Sequence, residues 1–179
     1  MKKHSVCIII AIISLLFFPN HYIVQATDLT LSPTTVQVYF SPNGGCTEAI
    51  ISQINNTKSE ILVQAYSFTS APITKALVAA HKRGVKVQAI LDKSQRSGKY
   101  TSATFLTNAG ISTYIDTKYA IAHNKIMISD REIVITGSFN FTKAAEEKNA
   151  ENVLIIRDRG LAKIYIENWE KHKGQSDLL

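Results

Sequence analysis

Cysteine is nearly absent. Of the two cysteines in 179 residues, Cys7 falls in an apolar leader and Cys46 stands alone in the remainder. A lone thiol closes no internal disulfide, so the fold must rest on its apolar core. Cys46 follows Gly44-Gly45 with no His or Asp at a nucleophile spacing nearby. It reads as a small, partly buried residue at a helix start, an intermolecular bridge being the alternative. Metal ligands are also sparse. No His, Cys, Asp and Glu fall at zinc spacing, and no carboxylate pair is set for magnesium, so neither a metal nor another cofactor is expected. There is no internal repeat, no low-complexity tract and no second long hydrophobic run.

What hydrophobic run there is comes first. Lys2 and Lys3 precede Val6–Phe18, a thirteen-residue apolar stretch broken by Ser14, and Val24-Gln25-Ala26 ends it in the manner of a cleavage site. The run is short against the roughly 20 residues of a membrane span. Residues 1–26 are therefore expected to be a signal peptide and 27–179 an exported, periplasmic domain, with an uncleaved N-terminal membrane anchor as the rival. Removing Lys2 and Lys3 lowers the formal charge from +6 to +4. Basic residues gather unevenly: Lys82, Arg83, Lys86, Lys93, Arg96 and Lys99 fall within one short stretch. Such a patch recruits polyanions by counterion release, although a solvated surface explains it equally well taken alone.

Chemistry concentrates in residues 121–152. His123, Lys125 and Asp130 stand at H-x-K-x-x-x-x-D, followed by Gly137-Ser138-Phe139-Asn140 and then Glu151. Residues 121–128 read as a strand, in which positions two apart share a face, so His123 and Lys125 project together. Ser138 and Asn140 would likewise face the site while Phe139 and Phe141 anchor the turn in apolar packing. A neutral imidazole is a competent nucleophile, and Lys125 and Asn140 can donate to phosphate oxygens as charge builds on them. Glu151 or Asp130 can accept the other imidazole N–H. These residue types describe a phosphodiester-cleaving site without a metal. Asp130 has the opposite strand parity to His123 and opens a turn, so a structural duty suits it as well as a direct one. Glu151 could equally be a lysine's ion-pair partner.

This stretch resembles the HKD motif of the phospholipase D superfamily. The run GSFNFTKAAEEKNAENV, with YFSPNGG, QAYSFTS and ITKALVAAHKRGVKV, is similar to the small single-motif bacterial endonucleases of that superfamily. The resemblance implies a phosphohistidine intermediate, phosphate binding by Lys125 and orientation of the imidazole by Glu151 of the same or a second subunit. It also implies a homodimer. Candidate substrate-binding residues are Lys93, Arg96, Lys99 and Lys143.

A count of histidines leads to the same assembly. Histidine, with an ordinary pKa of about 6.5, suits both nucleophile and acid, and cleavage needs one of each. His4 and His21 lie in the leader, while His81 and His172 sit beside lysines on helices and read as solvated. Only His123 remains, so a two-fold homodimer has to bring two copies together. Tyr66, Phe68 and Tyr100 could stack on bases, but core packing is the default for Tyr66 and Phe68.

Strands expected at 35–40, 60–68, 85–91, 111–115, 121–128, 133–136 and 152–157 alternate with helices at 47–56, from Pro72 to Gly84, 101–108 and 161–172. Residues 175–179 read as a frayed tail. The fold class is α/β: a mixed β-sheet flanked by helices on both faces, a phospholipase D/nuclease-like sandwich. The leading functional expectation is an endonuclease acting on DNA or RNA. Its alternatives are a phospholipase D acting on phosphatidylcholine-type lipids and a non-catalytic nucleic-acid-binding protein.

Overall fold

Strand alternation divides the core into two apolar layers. A computed structural model describes residue 29 and residues 34–96 and 101–179. The expected signal segment, Lys99 and Tyr100 lie outside the described residues. The strands are β1 (Thr35–Ser41), β2 (Glu60–Ala65), β3 (Lys86–Asp92), β4 (Ser112–Asp116), β5 (Lys125–Ser129), β6 (Ile133–Gly137), β7 (Glu151–Arg157) and β8 (Asp177–Leu178). They form one sheet in the order β1-β7-β6-β5-β2-β3-β4-β8. The β2-β3-β4 core is parallel and the remaining pairs are antiparallel. The sheet is mixed, as expected.

Ile61, Val63 and Ala65 of β2 point into one layer, beneath α1 (Cys46–Asn56) and α2 (Ala71–Lys82), together with Leu106 of α3 (Ser102–Asn108). Leu62 points the other way, joining Ile90, Ile126, Ile128 and Val134 under α5 (Arg159–Lys173), where Trp169 is 1% exposed. Helices thus cover both faces. The Trp169 indole N–H donates to the Val63 carbonyl at 2.9 Å, so the largest side chain in the layer leaves no buried polar group unpaired. Each fully buried Leu, Ile or Phe contributes roughly 1.5–3 kcal/mol of transfer free energy.

Helix starts follow the capping chemistry in the sequence. Ser70 caps α2 by accepting from the Ile73 N–H, and Pro72 occupies the first turn, where its missing donor costs nothing. Asp158 caps α5 by accepting from the Leu161 N–H at 2.8 Å. Besides a 3-10 turn at Lys93–Gln95, two elements were not expected. One is the short helix α4 (Lys143–Glu147); its Glu146 accepts from the Gly45 and Thr47 N–H groups at the start of α1. The other is β8, which pairs with β4 where a frayed tail was expected. Tertiary pairing overrides the weak local signal of these tail residues. Cys46 is fully buried, and burial, with Glu146 adding to it, pushes its thiol up to about 11. So buried a thiol offers no surface for the intermolecular bridge considered as an alternative.

Candidate active site

Strand direction brings the motif residues to one edge of the sheet. The pairs Ala65↔Lys125, Gly137↔Val153 and Ser41↔Glu151 place the ends of β2, β6 and β1 beside the starts of β5 and β7. His123, Lys125, Gly137, Ser138, Asn140 and Glu151 line an open pocket of about 320 Å³ there. A second groove, running under Ile164 and Tyr165 of α5, shares His123 and Lys125 with it.

His123 does not sit on a strand. Residues 121–124 are an extended loop, and β5 begins at Lys125. The imidazole is exposed, whereas Lys125 is 7% exposed. They meet because Lys125 reaches back along the loop: its Nζ lies 2.9 Å from His123 Nδ1 and donates to the His123 carbonyl at 2.7 Å. Strand parity is therefore not what joins them. Burial draws the Lys125 ammonium below the ordinary lysine pKa, and nearby Glu151 partly offsets this. Tyr66 closes the other side. Its ring centroid is 4.5 Å from that of His123 and 5.3 Å from Lys125 Nζ. Tyr66 is thus a site residue, not core; its position just past β2, paired against β5, is what puts it there.

The Gly137–Phe141 turn has the expected inside and outside. Phe139 and Phe141 are each 1% exposed, and Phe141 packs edge-on against Phe68 at 5.6 Å. Phe141's carbonyl accepts from the Thr69 and Ser70 N–H groups, tying this turn to the loop after Tyr66. Ser138 exchanges bonds with Asn152: its Oγ accepts from the Asn152 N–H at 3.1 Å, and its own N–H donates to Asn152 Oδ1 at 3.2 Å. Gly137, with φ of 152°, runs so close to the Asn152 carbonyl that any Cβ would collide with it. Asn140 Oδ1 is buried without a hydrogen-bond partner, leaving its amide uncommitted within the chain.

The remaining motif residues are placed differently. Glu151 is in the pocket, but its carboxylate accepts from Asn149 Nδ2 at 3.1 Å, and no bond to the imidazole is made within one chain. Asp130 is at the far end of β5, about 16 Å along the strand from Lys125 at the usual rise. There it accepts from the N–H groups of Lys58, Ser59 and Glu60 and from the Ser59 hydroxyl. Burial alone would raise this carboxyl, but those donors outweigh it and hold it below the usual range. Asp130 anchors β5 to β2 and does not reach the pocket.

Of the basic candidates, Lys93 Nζ donates to the Tyr119 carbonyl at 3.1 Å, and Arg96 pairs with Asp177 at 2.7 Å. Lys143 pairs with Glu147 across one helical turn at 3.5 Å. His172 is not solvated: its Nδ1 lies 2.7 Å from Oδ2 of the fully buried Asp116. His81 is only partly exposed on α2, its Nδ1 buried without a partner. Among the described residues, no group of His, Cys, Asp and Glu is placed to hold a metal ion.

Residues 50–173 match the family described as cardiolipin synthase, PLD-like domain. The chain belongs to the phospholipase D superfamily. A phospholipase D of Rickettsia prowazekii is 46% identical over 149 residues, covering 83% of this chain and 73% of that protein. The mitochondrial cardiolipin hydrolase of mouse is 27% identical over 161 residues, 87% of this chain and 73% of that one. The crystal structure of Nuc, a phospholipase D family member from Salmonella typhimurium, superposes with a TM-score of 0.79 at 40% identity. That match covers 82% of this chain and 98% of Nuc. NucT from Helicobacter pylori shares the fold at a TM-score of 0.76 and 24% identity. This phospholipase D superfamily member is a phosphodiester hydrolase.

Proposed function

We propose that the enzyme is an exported, metal-independent endonuclease acting on DNA, with RNA as a second substrate, through a phosphohistidine formed on His123 at a homodimer interface. The observation that carries this reading is the meeting of one exposed imidazole, one buried ammonium and one uncommitted amide in a single open pocket.

In the free chain Lys125 donates to Nδ1, so the neutral ring carries its proton on Nε2. A bound phosphodiester would draw the ammonium to its non-bridging oxygens and release Nδ1. The ring can then change tautomer, losing its Nε2 proton to solvent and gaining one on Nδ1. There the carboxylate of Glu151, of the same or a second copy, accepts the N–H, and Nε2 is left free to attack phosphorus. The N–P bond forms as the P–O bond to the departing alcohol breaks, and the imidazolium of the second copy's His123 protonates that oxygen. The same ring, now neutral, takes a proton from water, which attacks the phosphohistidine and releases phosphate monoester and His123. Lys125 and Asn140 hold the charge that builds on the oxygens, each such donor contributing about 10²–10³ in rate.

Two observations support a second imidazole from a second copy: His172 is committed to Asp116, and His81 lies on α2, outside the pocket. The resemblance of the run GSFNFTKAAEEKNAENV to the small single-motif endonucleases supports a nucleic-acid substrate. The relatives named phospholipase D favour a second reading, hydrolysis of phosphatidylcholine-type lipids by the same chemistry. Plasmid nicking in EDTA by wild type and His123→Ala, run beside sedimentation, tests the first. Equal activity of the two proteins, or a fully active monomer, would defeat it. Choline release from phosphatidylcholine vesicles without plasmid nicking would move the assignment to lipid. Salt-dependent DNA binding without turnover would leave a binding protein.

A further inference from the structure

One turn reaches both loops that flank the reactive imidazole. Where β3 ends, Asp92 leads into a 3-10 turn, Lys93–Gln95. Asp92 is 3% exposed; its Oδ2 accepts the Ala122 N–H at 2.8 Å and its Oδ1 the Ser94 N–H at 2.9 Å. Lys93 Nζ donates to the Tyr119 carbonyl, and Gln95 Oε1 accepts the Phe68 N–H at 3.3 Å. Phe68 lies two residues beyond Tyr66, whose ring rests on His123.

Residues 117–124 contain no helix or strand. Their buried backbone groups therefore need partners from elsewhere, and the N–H adjoining His123 finds its partner in Asp92. Burial by itself would raise the Asp92 carboxyl, but its hydrogen bonds to Ser94 and Ala122, with Lys93 beside it, keep it below the usual range. The acceptor is thus anionic at neutral pH, and bonds to an anion are roughly twice as strong as neutral ones.

We propose that Asp92, with Lys93 as a second tie, is a positioning residue for the hydrolysis: through Ala122 it sets where the His123 imidazole stands relative to Lys125 and Asn140. The inference rests on His123 being the reacting group. It gives an inward duty to a segment whose sequence suggests only contact with a polyanion. Aspartate is suited because both oxygens accept. Asparagine offers one oxygen and one NH₂, so one of the two N–H donors must lose its bond.

The test uses the full-length protein, bis(4-nitrophenyl) phosphate as a small diester, and ¹⁵N-histidine NMR. Asp92→Asn should lower kcat by about 10²-fold, the cost of a misplacement near 1 Å, with KM within about twofold of wild type. The His123 ring signals should shift while those of His81, on the far α2, stay. Ile50→Val, in the distant α1 packing, should lower Tm without either effect. Should Asp92→Asn fail to fold, Lys93→Met cuts the Tyr119 tie from the surface and should lower kcat several-fold, again with KM unchanged and the His123 signals moved. A folded variant with kcat within about twofold of wild type and unmoved His123 signals overturns the inference. A wild type inert toward the diester would instead defeat the catalytic reading, while the His123 signals still decide the positioning.

Discussion

The Lys125 ammonium lies 2.9 Å from Nδ1 of His123 and is buried without an ion-pair partner among the described residues. Function and stability are opposed at this contact. A charged lysine that is itself buried costs desolvation that neither a neutral ring nor a backbone carbonyl fully offsets.

Lys125→Met should therefore abolish hydrolysis and leave the protein as stable as wild type, or more so. The sign with pH follows from the lowered lysine pKa. Between the folded value and the ordinary 10.5, the unfolded chain holds more protons, so wild-type stability rises with pH across that window. Urea midpoints should favour the methionine variant most at neutral pH, the gap narrowing toward alkaline pH.

Asp130→Asn separates structure from chemistry. Asparagine tolerates the left-handed backbone at this position, φ 51°, but loses the charge that the Lys58, Ser59 and Glu60 donors face. The expected loss is about 1–3 kcal/mol at pH 7, with kcat per folded molecule within twofold of wild type. Because the folded carboxyl titrates below its ordinary 3.8, this stability is complete above that pH and lost as pH falls through the lower folded value. Denaturation curves of the two proteins should converge there.

Tyr66 contributes its ring, not its hydroxyl. Tyr66→Phe should keep near-wild-type kcat. Tyr66→Leu removes the face that His123 and Lys125 contact, worth about 0.5–1 kcal/mol for the cation alone. A several-fold fall in kcat for leucine and none for phenylalanine is the expected pattern on the small diester.

His172→Leu should act on the fold alone. It strips the fully buried Asp116 of one partner, leaving the Lys118 N–H on its other oxygen. The cost is about 1–3 kcal/mol, read as a lower urea midpoint with unchanged kcat at low denaturant.

The HKD spacing, the Gly137–Phe141 turn and the alternation of strands and helices were legible because each is written in neighbouring residues. Period-2 alternation made Phe139 and Phe141 inward anchors, and Pro72, with its fixed φ and missing donor, marked the start of its helix. From these alone came the mixed sheet and the pairing of His123 with Lys125 as partners in chemistry. What the chain order could not reveal depends on contacts across long separations. Asp130 belongs to the Lys58–Glu60 backbone, His172 to Asp116 and Ala122 to Asp92, each partner at least 30 residues away. Local propensity carries no information about such partners, because they are chosen only when the sheet brings distant strand ends to a common edge. The tail's pairing as β8 and the burial of Cys46 were decided there too, by packing that no neighbouring residue encodes.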